Sequence, residues 1–122
     1  MKDNSNLFIE QNDYISVLPH CMDNKNLTWT AKGIHAYLFS RANRSINFED
    51  LKNRTTINMK EIESAIKELI KHNYLYKIMQ LNDGIISKEG YVIFDTPKDK
   101  KHVFSILKNI EGSGWGIEEE VE

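Results

Sequence analysis

Apolar residues recur at three- and four-residue steps in some stretches of the chain and form short β-type runs in others. Ala31, Ile34, Leu38 and Ala42 mark a helix that opens after Thr28 as N-cap and runs to about Ser40. Gly33 inside it is expected to mark close packing, since glycine costs a helix about 1 kcal/mol relative to alanine. Asn47 would cap a short second helix over 48–54, with Glu49 and Asp50 in its first turn and Lys52 and Arg54 near its end, as the macrodipole favours. Thr55-Thr56-Ile57 reads as a tight turn. Asn58 then caps a third helix, with Glu61 as its capping-box partner and Ile62, Ala65, Ile66, Leu69 and Ile70 as its apolar stripe. Asn73 is a left-handed stop.

β-type patterning follows. Tyr74 to Leu81 and Tyr91 to Phe94 predict two strands of a hairpin, joined by a loop of several residues that begins at Asn82-Asp83-Gly84 and closed by Pro97. An amphipathic helix is expected within 98–111, with Val103, Phe104, Ile106, Leu107 and Ile110 as its apolar set. Residues 112–122 read as a glycine-rich linker with an acidic tail, and 1–13 as a loose arm around Leu7-Phe8-Ile9. Tyr14-Ile15-Ser16-Val17 predicts a short strand ending before Pro19. The fold class is therefore α+β: a winged helix-turn-helix over 14–97, with a three-helix core, a β-hairpin wing and an additional C-terminal helix.

Composition narrows the function. With 122 residues, 40% hydrophobic and 28% charged, the chain supports one packed domain rather than wholesale disorder. A net charge of −2 excludes a strongly basic nucleic-acid binder. No apolar run is long enough to span a membrane, and the polar N-terminus lacks a signal-peptide core. The lone Cys21 excludes an internal disulfide, and together these features predict a cytoplasmic protein. His20, His35, His72 and His102 show no ligand spacing with Cys21 or each other, so neither a metal nor a cofactor is expected. His35 is read as a packed histidine. Gly112 to Gly116 lacks the Lys-Ser/Thr of a phosphate loop. No catalytic residue stands out.

In a winged helix-turn-helix the third helix can enter a major groove while the wing lies beside it. The stretch Tyr14 to Thr96 also resembles the N-terminal module of DnaD-like phage and plasmid replication proteins, the replisome organisers. The resemblance rests on Tyr14-Ile15-Ser16-Val17-Leu18-Pro19, on Leu27-Thr28-Trp29-Thr30-Ala31-Lys32-Gly33 opening a helix to Leu38, on Ile62 to Ile70 followed by Asn73-Tyr74-Leu75, and on Tyr91 to Asp95. Asn73 stands where that family usually has glycine. The family's large C-terminal domain has no counterpart here, which fits a small plasmid or phage accessory protein. The resemblance implies double-stranded DNA as partner, action at an origin of replication or transfer, and contacts with other replication or transfer proteins or a second copy of the chain.

Local charge agrees with DNA better than the total does. Residues 28–72 hold eight Lys and Arg against five Asp and Glu, a balance of +3, whereas 96–122 hold four against six. Base-edge contacts are expected at Thr56, Asn58, Met59, Lys60 and Ser64. Phosphate contacts are expected at Lys32, Arg44, Arg54, Lys67 and the wing residues Asn82 and Lys88. For Lys60, Lys67 and Lys71 a solvated helix face is the plainer alternative, and Glu61 and Glu63 would repel phosphate. A protein-interaction module is the alternative function. Trp29 is read as a helix-start packing residue rather than a stacking platform. Trp115 is read as part of a docking peptide or of an unstructured tail, whose acids either compete with DNA phosphate or only add solubility.

Overall fold

The structure, a computed structural model, describes residues 19–41, 48–110 and 114–118. In chain order they form α1 (Pro19–Met22), α2 (Trp29–Ser40), α3 (Phe48–Lys52), α4 (Met59–Lys71), β1 (Leu75–Asn82), β2 (Ile85–Ile93), α5 (Lys100–Leu107) and β3 (Trp115–Ile117). The architecture is α+β, with the three strands in one antiparallel sheet of order β2-β1-β3 and an arrangement compatible with a winged helix. The expected arm and the Tyr14–Val17 strand lie outside the described residues.

The caps sit where side-chain chemistry puts them. Thr28 Oγ1 accepts from the Ala31 amide at 3.2 Å, and Asn58 Oδ1 from the Glu61 amide at 2.8 Å. Asp99 does the same for α5, taking the His102 amide at 2.9 Å, so that helix starts at Lys100, about a turn ahead of its first buried apolar residue, Val103. At the end of α4, Asn73 adopts φ 66°, and the Asn73 and Tyr74 amides donate to the Ile70 and Leu69 carbonyls. This is a complete Schellman motif, and it aims the chain directly into β1.

Two apolar clusters divide the molecule. Cys21, Leu27, Ala31, Ile34, Leu51, Ile62, Ala65, Ile66, Leu69, Tyr74 and Leu75 join the helices and the first residue of β1. Tyr76, Ile78, Phe94, Val103 and Leu107 fill the other, between the sheet and α5. Successive β1 residues point to opposite faces, so Leu75 serves the first cluster while Tyr76 and Ile78 serve the second. His35 links both regions: it is fully buried, its Nε2 lies 2.8 Å from the Phe94 carbonyl, and its ring packs edge-on to Tyr74.

Several expectations need correcting. The returning strand begins at Ile85 rather than Tyr91, because Asp83 (φ 53°) and Gly84 (φ 78°) make a two-residue turn with both central residues left-handed. A register shift between Gln80 and Leu81 then absorbs one extra residue of β2. Phe104 is exposed, since it lies about 100° round the helix from the buried Val103. The glycine-rich segment is not simply a linker to a free tail: Trp115–Ile117 pairs with Ile78–Gln80, and Glu118 meets Lys77 Nζ at 3.1 Å. That contact holds the Lys77 ammonium above its usual pKa. Gly33 is not tightly packed either, because a Cβ there would meet nothing within 4 Å.

Cys21 is fully buried, and burial pushes its thiol above the ordinary value of 9.0, with Lys32 partly opposing the rise. In the unfolded chain the thiol ionises near 9.0, whereas in the fold it stays protonated higher. The stability this group contributes is therefore complete below that pH and declines as pH rises further. Alkylation by iodoacetamide is expected to run at least ~100-fold slower in the native chain than in urea, because the thiolate is the nucleophile and must first be uncovered. Equal rates in the two states would show that the α1 region does not close over Cys21.

Candidate nucleic-acid interface

The face of α4 opposite its buried stripe carries Lys60, Ser64, Lys67 and Lys71, all exposed. Spacings of four, three and four residues stack them in one row along the helix. Ile62, Ala65, Ile66 and Leu69 point the other way, into the helical cluster. Glu61 and Glu63 are exposed beside this row. Glu68 is committed elsewhere: its carboxylate accepts from the Thr28 amide and, at 2.9 Å, from Thr28 Oγ1. That contact ties α4 to the start of α2 and satisfies an acid on the flank of the basic row.

The expected contact residues fall into separate groups. Thr56, Asn58, Lys60, Ser64 and Lys67 are exposed on α4 or the turn before it, although the Asn58 side-chain oxygen serves as the helix cap. Met59 is half-buried against the helical cluster, because it lies on the core side of the first turn. Arg54 is exposed at the α3–α4 turn. Lys32 is only 7% exposed, and its ammonium sits 4.5 Å from the centre of the Trp29 ring, so it is the least accessible of the expected phosphate contacts among the described residues. Arg44 lies outside the described residues. Asn82 and Lys88 are exposed on the hairpin: Asn82 is at the tip opposite Ile85, and Lys88 lies opposite Gln80 on the face that also carries Trp115.

Two features were missed from the sequence. The hairpin tip exposes Leu81, Ile85 and Ile86. Trp29, expected to pack, is 77% exposed and forms one wall of a groove of about 290 Å³ between α2, α3 and the α3–α4 turn. Its floor is Ile34, Leu51, Ile57 and Ile62, its second aromatic wall is Tyr37, and Arg54 and Thr55 complete the lining. On α2 the residue lies about 160° from Ala31, so the helical period itself turns Trp29 away from the core.

The chain matches no known family model, no curated protein and no solved structure. Among the described residues no three His, Cys, Asp or Glu side chains converge as metal ligands, and no helix is long and apolar enough to cross a membrane.

Proposed function

We propose that the chain is a cytoplasmic, non-enzymatic winged helix-turn-helix protein that binds double-stranded DNA. In this reading α4 enters the major groove and the β1–β2 hairpin lies against the neighbouring backbone or minor groove. The observation that supports it most is the exposed row Lys60, Ser64, Lys67 and Lys71, set opposite the buried stripe with Glu68 held against Thr28. The resemblance to replisome-organiser modules supports a plasmid or phage setting, at an origin of replication or transfer. Four to six phosphate contacts would give a slope of log affinity against log salt of about −4 to −5.

Lys60→Ala is expected to weaken binding and relax sequence preference, whereas Lys88→Ala weakens all duplexes alike and flattens the salt slope by about one. Sequencing duplexes selected from a random pool, followed by titration of both variants, checks this. A flat salt response, or no binding at ~50 mM salt, rejects DNA as the ligand. The exposed Leu81, Ile85 and Ile86 at the hairpin tip, beside the acidic Asp83, support a second reading as a protein-interaction module. Retention on DNA-cellulose at low salt and elution with rising salt separates the two.

A further inference from the structure

The groove beside α2 has an unusual construction. Trp29, Gly33 and Tyr37 lie four residues apart along one row of the helix, so two aromatic rings flank a position with no side chain. Gly33 returns no packing for its place there, since the space a Cβ would take is open. What it does is keep a slot between the rings. A cation accompanies each wall: Lys32 Nζ lies 4.5 Å from the Trp29 ring centre and the Arg41 guanidinium 5.3 Å from that of Tyr37. Arg54 also lines the groove, and no carboxylate is among the described residues that line it.

We infer that this slot binds an unpaired base of single-stranded DNA, with Trp29 as stacking platform and Arg54 on the adjoining phosphate. The inference rests on the reading of the chain as a DNA-binding protein and adds a second kind of strand to it. Flat aromatic walls over an apolar floor suit the face of a base, which is sequence-tolerant because every base has one. Positive charge without lining acids suits a polyanion. A duplex does not qualify, because its bases are stacked and paired and cannot turn a face into a slot of about 290 Å³. The position matters as well. Arg54 and Thr55 belong to the turn that continues through Thr56 to Asn58, where α4 begins. A strand leaving a duplex held on α4 would cross that turn into the groove, which would place the protein at a junction of duplex and single strand.

Trp115→Phe leaves Trp29 as the sole tryptophan and allows a direct test. In that background a short oligothymidylate is expected to quench Trp29 fluorescence at low salt. A duplex with a single-stranded overhang should bind several-fold tighter than the same duplex with blunt ends. Trp29→Ala removes the platform and Gly33→Leu fills the slot with a good helix former. Each should weaken oligothymidylate about 10-fold or more while leaving blunt duplex within about 2-fold, with circular dichroism confirming the fold. Blunt duplex binding without quenching, and without preference for the overhang, overturns the single-strand site and leaves the duplex reading intact. Failure of both ligands removes both. Quenching by an acidic, apolar peptide such as residues 1–13, and not by oligothymidylate, would assign the groove to a peptide instead.

Discussion

Tyr74→Ala is expected to cost about 3–5 kcal/mol, the range for deleting a large buried aromatic side chain, and so to bring a domain of this size close to unfolding. Tyr74 is fully buried at the point where four elements meet. Its amide closes the Schellman motif of α4 on the Leu69 carbonyl, and its own carbonyl accepts from the Phe94 amide at 2.8 Å. Its ring packs edge-on to His35 of α2. Its hydroxyl accepts from Asn24 Nδ2 at 3.1 Å and lies 2.7 Å from His20 Nδ1, which fastens α1 to the core. Burial raises the phenol pKa, so the hydroxyl keeps its proton. Tyr74→Phe separates ring from hydroxyl: His20 is exposed and Asn24 only half-buried, so both can turn to water, and a loss of only about 0.5–1.5 kcal/mol is expected. Urea midpoints for both variants check the pair. A loss below ~1 kcal/mol for the alanine variant would mean that Tyr74 does not join the helices to the sheet.

What could be read from the sequence was what local chemistry decides. Asn58, whose side chain caps the Glu61 amide, and Asn73 at a left-handed position bracket α4 within a residue or two because one end is fixed by a side chain and the other by φ. The outward row of α4 followed from the same period that buries Ile62, Ala65, Ile66 and Leu69. The misreadings share a different cause. Ile85 to Gly90 reads as loop because its mix of exposed apolar, charged and glycine residues does not alternate cleanly, and a bulge between Gln80 and Leu81 shifts its register. Trp115–Ile117 was hidden by the glycines around it, although Trp115 and Ile117 two apart carry the period of a strand. Its pairing partner lies far back in β1, and no local pattern reports a long-range ladder. Residue type alone suggests packing roles for Trp29 and Gly33. Their angular position on α2 shows that they share a face with Tyr37 rather than with Ala31. The groove itself was illegible, since α3 and the α3–α4 turn complete it from outside the helix.

Gly114→Ala is expected to release β3 and lower stability by about 2–3 kcal/mol while leaving the helical core folded. Gly114 has φ +83°, a conformation that costs a residue with a Cβ about 1–2 kcal/mol. The added Cβ would also overlap the Leu81 carbonyl oxygen. That oxygen is backbone and cannot swing aside as a side chain could. Yielding at Leu81 would disturb the bulge and the bond from its amide to the Gly114 carbonyl, 2.9 Å long. The cheaper response is for the segment to detach. With it go the ladder to Ile78–Gln80, the Glu118 amide bond to the Lys77 carbonyl and the ion pair with Lys77. Trp115 and Ile117 also lose their packing on the Tyr76 and Ile78 cluster. Tryptophan emission should shift red and gain accessibility to a soluble quencher, and the Leu81 and Glu118 amides should exchange faster, while the far-ultraviolet helical signal persists. Gly116→Ala is the control: its Cβ would meet nothing within 4 Å, so a change of no more than about 0.5 kcal/mol is expected. Unchanged emission and exchange in the Gly114 variant would show that β3 is not held on the sheet through this turn.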